Sequence, residues 1–285
     1  MNLIDIHTHG GFGVNFNTAN IEDIKHFARQ AKLRSIVAFC PTLATDTVEN
    51  LNIQLLRIKN AMQNQGADEA KILGVYLEAL FLNPEKKGIH NKELLLEPSV
   101  ENFEKLQCRE IIKIVTLAPE LDRGLEFTSY LKDKGIKVHL GHSMACELYG
   151  TNCTTHHFNA MPTLHHREPT ATLKALLDDD IYCEIIADTK HVSTDMLKLF
   201  FKTKRHDRII LVSDSLALTH SGHEKMEFCG TLINSDGTSD NGTLGGGMMF
   251  LDEMIEQLVS LKIVEKEALH KMAWDNVISY LGIDA

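Results

Sequence analysis

Short runs of apolar and β-branched residues alternate with amphipathic segments along almost the whole chain of 285 residues. Each run ends in a polar or glycine-bearing turn, and a helix-like stretch follows it. Strands that alternate with helices favour parallel βαβ units, and eight such units close into a (β/α)₈ TIM barrel, which typically needs about 250 residues. The sequence therefore predicts an α/β fold of this kind. Its eight strands are expected at residues 3–6, 35–39, 72–77, 111–116, 137–140, 153–155, 182–187 and 209–212.

The predicted helices fill the intervals between these strands. One interval is short, because only fourteen positions separate His142 from His156, so the helix expected there, at residues 144–149, should be a stub. No linker rich in proline, glycine or serine interrupts the pattern, so we expect one domain over residues 1–285. The other helices are expected at residues 21–33, 48–63, 125–134, 170–177, 194–202, 249–261 and 265–281.

The charge balance limits the partners that the chain can bind. Lysine and arginine total 29 against 39 aspartate and glutamate residues, a net charge of −10, which disfavours nucleic acid and anionic membranes. An anionic small substrate would need a local cationic anchor. We expect no membrane helix and no signal peptide, and the six scattered cysteines indicate reduced thiols in a cytoplasmic protein. The 15 histidines suggest metal or acid–base chemistry.

Most of the predicted strands end in a side chain that can bind metal or carry a proton. His7 and His9 close the first strand, and residues at i and i+2 of a strand point to the same face. In a (β/α)₈ barrel the active site is built at the C-terminal ends of the strands. One such histidine is more often a hydrogen-bonded structural residue, whereas a convergent set indicates a site. The other members of the set are Glu78, His142, His156, Asp188 and Asp214.

Several longer motifs surround these residues and span nearly the whole chain. They read IDIHTHGG at 4–11, LEALFLNPEKKG at 77–88, LAPE at 117–120, GHS at 141–143, THHFNAMP at 155–162, REP at 167–169, IADTKHV at 186–192 and LVSD at 211–214. In this order the motifs resemble the N-acetylglucosamine-6-phosphate deacetylase family of the amidohydrolase superfamily. The resemblance implies a metal-dependent barrel that removes the acetyl group from N-acetylglucosamine 6-phosphate and gives glucosamine 6-phosphate and acetate.

The resemblance also implies roles for individual residues in the reaction. His191 would polarise the acetamide carbonyl, and Asp214 would act as the base and then as the acid. One or two divalent ions per chain would be bound, and histidine and carboxylate ligands suit zinc, our first choice, as well as iron, cobalt and nickel. The implied metal ligands are Glu78, His142 and His156 for the first ion and His7 and His9 for a second.

A further set of positions matches those that contact the amino-sugar phosphate in the family. Arg167 can offer two parallel hydrogen bonds to a phosphate, and it would be the cationic anchor that an acidic chain needs. The resemblance also implies a homodimer, in which Arg167 could reach the phosphate bound to a neighbour. The matched substrate positions are His90 for the sugar, Asn159, Ala160 and Arg167 for the phosphate, and Leu244 and Gly245 in a late loop that closes over the sugar.

Three departures from the family leave alternatives open. The strand-rich segments that form a small β-sandwich in the family are not found in these 285 residues. The family's Leu-Glu-Gly-Pro-Phe reads LEALF at 77–81, and its Asp-Gly-x-His reads DTKH at 188–191. The alternatives are an amidohydrolase for a different N-acyl or cyclic amide and a metal-binding barrel without turnover. Metal binding alone would not need Asp214, His191 and Arg167 together, which disfavours the barrel without turnover.

Overall fold

Eight parallel strands form a nearly closed barrel in the computed structural model of the protein, which describes residues 2–283. Each strand pairs with the next one along the chain, so the order around the barrel follows the sequence. This arrangement confirms the predicted (β/α)₈ fold. The strands are β1 (Leu3–Thr8), β2 (Ile36–Ala44), β3 (Val75–Glu78), β4 (Ile112–Leu117), β5 (Lys137–Leu140), β6 (Cys153–Thr154), β7 (Tyr182–Ile185) and β8 (Ile209–Leu211).

The barrel closes between β8 and β1 through residues just beyond the ends of the strands. The Asp214 N–H donates to the His7 carbonyl at 2.8 Å, and the His9 N–H donates to the Ser215 carbonyl at 2.8 Å. Thr8 and Ser215 also form a parallel bridge, and their hydroxyl oxygens lie 2.8 Å apart. These bonds hold the His-x-His motif of the first strand beside the aspartate that follows the last strand.

Helices follow seven of the eight strands, and polar caps fix where several of them begin. Asn20 and Asp23 form a reciprocal capping box at the start of the first helix, and the Thr47 hydroxyl accepts the Asn50 N–H at the second. These two helices coincide with the predicted ranges. The helices are α1 (Ile21–Leu33), α2 (Val48–Gln63), α3 (Val100–Glu104), α4 (Glu126–Asp133), α5 (Ala171–Leu177), α6 (Thr194–Thr203), α7 (Leu251–Ser260), α8 (Lys266–Ala273) and α9 (Asp275–Leu281).

Two predicted helices differ in the structure. The stub expected at residues 144–149 is wrong, because this connection contains no helix. The Ala145 carbonyl, which would accept the Tyr149 N–H in a helix, accepts the Ala171 N–H at 3.2 Å instead, and Tyr149 has a φ of 51°. The single helix expected at 265–281 is divided into α8 and α9 at Trp274, whose φ of −139° and ψ of −77° are not helical.

An antiparallel hairpin between β8 and α7 was not predicted from the sequence. Its strands, Lys225–Phe228 and Thr231–Asn234, form what we call the flap hairpin. Phe228 and Ile233 pack with Leu216 and Leu218 in a small apolar cluster separate from the main core. The flap hairpin therefore lies against the C-terminal side of the barrel rather than projecting from it. Among the described helices, none has the length and apolar character that a membrane span requires.

A buried histidine next to the site contributes a pH dependence to the stability of the fold. His157 packs against Phe158 and Phe200, and burial, with a contribution from Lys204, lowers the pKa of His157 to about 3 from 6.5. Between these values the unfolded chain binds more protons, so stability is lost as the pH falls through this window. We predict that His157→Phe makes the free energy of unfolding less pH-dependent there, by up to about 1.4 kcal/mol per pH unit.

Urea unfolding across this pH window measures the effect of the substitution. The matched control is His26→Gln, because His26 is exposed and its removal should leave the slope unchanged. An unaltered slope in His157→Phe would contradict the prediction.

Candidate active site

The C-terminal ends of the strands surround a cavity of about 340 Å³. Active sites of (β/α)₈ enzymes lie at this end of the barrel. Phe228 of the flap hairpin and the segment 243–246 form part of the cavity wall. The residues predicted from the sequence that line it are His9, Glu78, His90, His142, His156, Asn159, Ala160, His191, Asp214, Leu244 and Gly245.

The carboxylate of Glu78, at the end of β3, lies at the centre of the histidines. Its Oε1 atom is 2.9 Å from His156 Nε2 and 3.2 Å from His142 Nε2. Its Oε2 atom is 3.0 Å from His9 Nε2 and 3.4 Å from His7 Nε2. The Glu78 side chain is 2% exposed. One buried carboxylate thus contacts two pairs of histidines, one with each oxygen.

These side chains form two groups, each with donor atoms within 4.8 Å of one another. Glu78, His142 and His156 form the three-residue group, and His7, His9 and Asp214 join Glu78 in the four-residue group. Asp214 Oδ1 lies 3.2 Å from His9 Nε2 and 3.3 Å from His7 Nε2. Donors bonded to one zinc ion at about 2.1 Å lie roughly 3–3.5 Å apart. Both groups therefore have the spacing that a metal ion needs.

Buried polar atoms that lack good hydrogen bonds in the two groups also indicate a metal site. Among the described residues, His7 Nε2, Glu78 Oε1 and Asp214 Oδ1 are buried, and none makes a well-aligned hydrogen bond although polar atoms of the site lie 2.9–3.4 Å away. Buried polar atoms without partners are costly, and a divalent ion would satisfy all three. The donor set is histidine nitrogen and carboxylate oxygen, which divalent transition metals bind. The residues present therefore fit one or two such ions.

Backbone carbonyls orient two of the histidines toward the cluster. His9 Nδ1 lies 3.2 Å from the Thr42 carbonyl, and His142 Nδ1 lies 2.7 Å from the Lys86 carbonyl. Because a carbonyl only accepts, each Nδ1 carries a proton, and in the neutral ring each Nε2 then presents a lone pair. The rings are thus held in the tautomer that a metal ligand needs.

Electrostatics at the cluster favour a positive charge among the carboxylates. Burial alone would lower the pKa of His7, but the carboxylates of Glu78, Asp214 and Glu184 raise it well above the ordinary value. Burial alone would raise the pKa of Glu78 and of Asp214, but the neighbouring histidines, His7 foremost, lower both. The carboxylates are therefore poised to be ionised, and a cation between them is favoured.

Three of the clustered residues adopt a strained backbone conformation directly after their strands. The φ angles are 48° at His142, 27° at His156 and 49° at Asp214. Residues other than glycine in this region cost of order 1–3 kcal/mol each, and they persist where the surrounding structure holds them. At Asp214 the bond from its N–H to the His7 carbonyl provides this support. Strain concentrated at strand ends is typical of a functional site.

His191 is paired with an aspartate at the edge of the cavity. Its Nδ1 atom lies 2.7 Å from Asp188 Oδ2, and Asp188 Oδ1 accepts the His191 N–H at 2.8 Å. Burial alone would raise the pKa of Asp188, but the hydrogen bond from His191 lowers it. Since Nδ1 is engaged by Asp188, Nε2 is the ring nitrogen of His191 that remains for a ligand.

The two turns that depart from the family have left-handed residues in the structure. Leu80 has a φ of 64°, which the proline of the family's Leu-Glu-Gly-Pro-Phe could not adopt because its ring fixes φ near −65°. Thr189 has a φ of 61°, at the position where the family has glycine. The turn after Glu78 therefore follows a different backbone path, whereas the turn after Asp188 has a conformation that a glycine adopts readily.

The structure does not bring every predicted substrate residue to the cavity. Arg167 is exposed on the segment between β6 and α5 and lies outside the cavity lining. Lys86, in contrast, lines the cavity beside Asn159 and Ala160. Its Nζ atom donates to the Met161 carbonyl at 3.2 Å. Among the described lining residues, Lys86 is the one lysine or arginine, so it is the cation that this subunit offers to an anionic ligand.

Sequence reasoning missed three residues around the site. Lys86 belongs to the motif at 77–88, and the Lys-Lys pair in that motif is a sequence signal for a site that binds an anion. Phe228 comes from the flap hairpin, and its ring lies 5.0 Å from that of His9. Glu184 lies within β7, where a carboxylate between Cys183 and Ile185 in an apolar strand is itself an anomaly.

The chain is similar to curated deacetylases over almost its whole length. It is 30% identical to N-acetylglucosamine-6-phosphate deacetylase of Bacillus subtilis (strain 168), and the match covers 99% of this chain and 74% of that protein. The chain belongs to the N-acetylglucosamine-6-phosphate deacetylase family. It is also 29% identical to N-acetylgalactosamine-6-phosphate deacetylase of Escherichia coli O157:H7, with 99% of this chain and 77% of that protein covered. No protein-family model matches the sequence.

A solved structure gives the same relationship in three dimensions. The chain superposes on N-acetylglucosamine-6-phosphate deacetylase from Thermotoga maritima with a TM-score of 0.89 at 26% identity. The superposition covers 99% of this chain and 78% of that one. The barrel is therefore of the type found in this family.

Because Glu78 belongs to both groups, its removal should affect metal binding most. We predict that Glu78→Gln lowers the affinity for zinc at least tenfold, because loss of a residue that only supports a ligand already costs 10–100-fold. His156→Ala should lose the ion of the three-residue group. Metal content per chain after reconstitution, measured by inductively coupled plasma mass spectrometry, checks the loss in His156→Ala. Arg167→Ala, outside the cavity, is the control. Zinc affinity of Glu78→Gln is measured by competition with a chromophoric chelator, and an unchanged affinity would mean that the groups do not bind the ion.

Proposed function

We propose that the protein is a metal-dependent hydrolase that removes the acetyl group from N-acetylglucosamine 6-phosphate to give glucosamine 6-phosphate and acetate. One observation carries the proposal: the two donor groups, His191 and Lys86 meet at one cavity of about 340 Å³. A metal site, a carbonyl-polarising group and a phosphate anchor are the parts that this hydrolysis needs. The names of the relatives support the same substrate class.

The residues would divide the chemistry between them. When bound, a zinc ion lowers the pKa of its water to about 7 and polarises a carbonyl. Asp214 would take the proton from the attacking water and pass it to the leaving amine. Asp188, 2.7 Å from His191 Nδ1, would stabilise the protonated ring, so that Nε2–H donates to the acetamide oxygen as negative charge develops there.

The phosphate would be held by Lys86 from the same subunit and by Arg167 from a second subunit. Lys86 lines the cavity next to Asn159 and Ala160, whereas Arg167 is exposed and outside it. An exposed arginine on a loop beside the active-site face suits contact with a neighbouring molecule. We therefore propose a homodimer, acting in the cytoplasm, where the six unpaired cysteines would stay reduced.

Release of free amine from a small panel of substrates tests the function. The panel holds N-acetylglucosamine 6-phosphate, its galactose-configured epimer, the unphosphorylated sugar and a cyclic amide, each with zinc-reconstituted protein. The epimer is included because one relative is named for it. We expect amine release from an N-acetyl hexosamine phosphate and far less from the others. Release from the cyclic amide alone would favour a different amidohydrolase, and release from none would favour a barrel without turnover.

The role of Asp214 gives a prediction that separates catalysis from metal binding. Asp214→Asn should lower kcat by about 10²–10⁴-fold, the usual range for a lost general base. At least one ion should stay bound, because Glu78, His142 and His156 form a group without Asp214. Steady-state kinetics and metal analysis of the same sample measure both. Near-normal turnover would contradict the mechanism.

The proposed phosphate contacts predict that replacing Lys86 and replacing Arg167 affect KM in different ways. Lys86→Met should raise KM for the phosphorylated sugar by roughly tenfold or more and leave the unphosphorylated sugar little affected, since a charge-assisted hydrogen bond contributes about 1.5–3 kcal/mol. Arg167→Ala should do the same only if a partner subunit supplies Arg167. Mixing Arg167→Ala with Asp214→Asn subunits should then restore activity. A fully active monomer in analytical ultracentrifugation would contradict the dimer.

A further inference from the structure

A buried polar network lies inside the barrel, on the side of His7 opposite the cavity. Its centre is Glu184 of β7, whose side chain is 0% exposed. His139 of β5, Tyr76 of β3 and Tyr280 of α9 are joined to it by hydrogen bonds or by close contacts. The described lining of the cavity includes none of these four residues, and the reaction proposed above gives them no role.

The side-chain carboxylate of Glu184 makes its shortest contact with His7, a residue of the four-residue metal group. Glu184 Oε2 lies 3.0 Å from His7 Nδ1. The other ring nitrogen, His7 Nε2, lies 3.4 Å from Glu78 Oε2 and 3.3 Å from Asp214 Oδ1. The His7 ring therefore connects Glu184 on one side to the metal group on the other.

A second hydrogen bond determines which atom donates between Glu184 and His7. The backbone N–H of His156 donates to the same Oε2 atom at 3.2 Å. An ionised carboxylate only accepts, as this oxygen does from the His156 N–H, so Nδ1 of His7 carries the proton between them. In the neutral ring that a metal ion requires, the lone pair of His7 is then on Nε2, which faces Glu78 and Asp214.

The same carboxylate oxygen also supports the three-residue group. His156 has a φ of 27°, a conformation that needs support from its surroundings. The bond from its N–H to Glu184 supplies one such constraint. One buried oxygen thus fixes a ring of the four-residue group and the backbone of a ligand in the three-residue group.

We propose that Glu184 is a positioning residue that fixes the tautomer and orientation of His7, so that its Nε2 serves the four-residue metal group. The proposal rests on the metal-dependent function proposed above, and it adds a residue that touches neither substrate nor ion. Carboxylates that accept from the far nitrogen of a metal-binding histidine typically contribute 10–100-fold to metal affinity. Burying a carboxylate inside the barrel costs more free energy than burying an apolar side chain. Positioning His7 would explain why Glu184 is nevertheless there.

The far end of the network supplies a matched control. Tyr280 Oη lies 2.7 Å from His139 Nε2, and His139 Nδ1 lies 3.2 Å from Glu184 Oε1. Tyr280→Phe removes one hydrogen bond from the same buried network without touching Glu184, His7 or His156. Its zinc affinity shows how much the loss of a buried hydrogen bond alone changes metal binding.

Zinc affinity, measured by competition with a chromophoric chelator, is the main test. We expect Glu184→Leu to bind zinc 10–100-fold more weakly than wild type. Glu184→Gln should show a smaller loss, because its carbonyl oxygen can still accept from Nδ1, and Tyr280→Phe should match wild type. In ¹⁵N NMR spectra of the zinc-loaded wild type, His7 should carry its proton on Nδ1.

Three results would overturn the proposal: unchanged zinc affinity in both Glu184 variants, an equal loss in Tyr280→Phe, or a His7 proton on Nε2. If Glu184→Leu does not fold, Glu184→Gln compared with Tyr280→Phe decides by the same criterion. These measurements need no substrate. Deacetylation by wild type with normal zinc binding in the Glu184 variants would defeat the positioning role alone. Zinc binding that depends on Glu184 without any deacetylation would defeat the proposed reaction alone.

Discussion

The arrangement of the site depends on one buried carboxylate that is shared by two sets of histidines. Glu78 directs Oε1 to His142 and His156 and Oε2 to His7 and His9, at distances of 2.9–3.4 Å. A carboxylate buried this deeply is costly unless positive charge lies beside it. The four rings surround it, and a divalent ion can replace their protons as the compensating charge. The metal groups are therefore a consequence of where β3 ends relative to β1, β5 and β6.

Closure of the barrel between β8 and β1 brings residues that are far apart in sequence into contact, including two members of the four-residue metal group. His7 and Asp214 are at opposite ends of the chain, yet the Asp214 N–H donates to the His7 carbonyl at 2.8 Å. The turn that makes this bond holds Asp214 at a φ of 49°. The strain is tolerated because both backbone groups of Asp214 are bonded: its N–H donates to His7, and its carbonyl accepts the Gly247 N–H at 2.7 Å. The hydrogen bonds that hold the backbone rigid at the C-terminal side of the barrel therefore also fix the positions of the candidate metal ligands.

Much of this could be predicted from the sequence because the signals were local. The i, i+2 spacing of His7 and His9 places both rings on one face, and periodic apolar runs gave eight strands in the right order. The missed features depend on contacts between remote segments. Nothing near Glu184 in sequence indicates that His7 lies 3.0 Å away, and the flap hairpin is stabilised by packing of Phe228 rather than by a strong turn signal. The segment 144–149 is not a helix because the Ala145 carbonyl accepts the N–H of Ala171, from a later part of the chain, at 3.2 Å.

The charge of the site explains how an acidic chain can accept a phosphorylated sugar. A net charge of −10 repels an anion at long range, and Glu78, Glu85 and Asp214 add negative charge at the cavity itself. Salt screens the long-range part over about 8–10 Å, so the local balance decides binding. In the proposed function that balance would depend on a cation between the carboxylates and on Lys86, which lines the cavity beside Asn159 and Ala160. Loss of such an ion would leave only the histidine protons as compensating charge, so less positive charge would face the phosphate and substrate binding would weaken as well as catalysis.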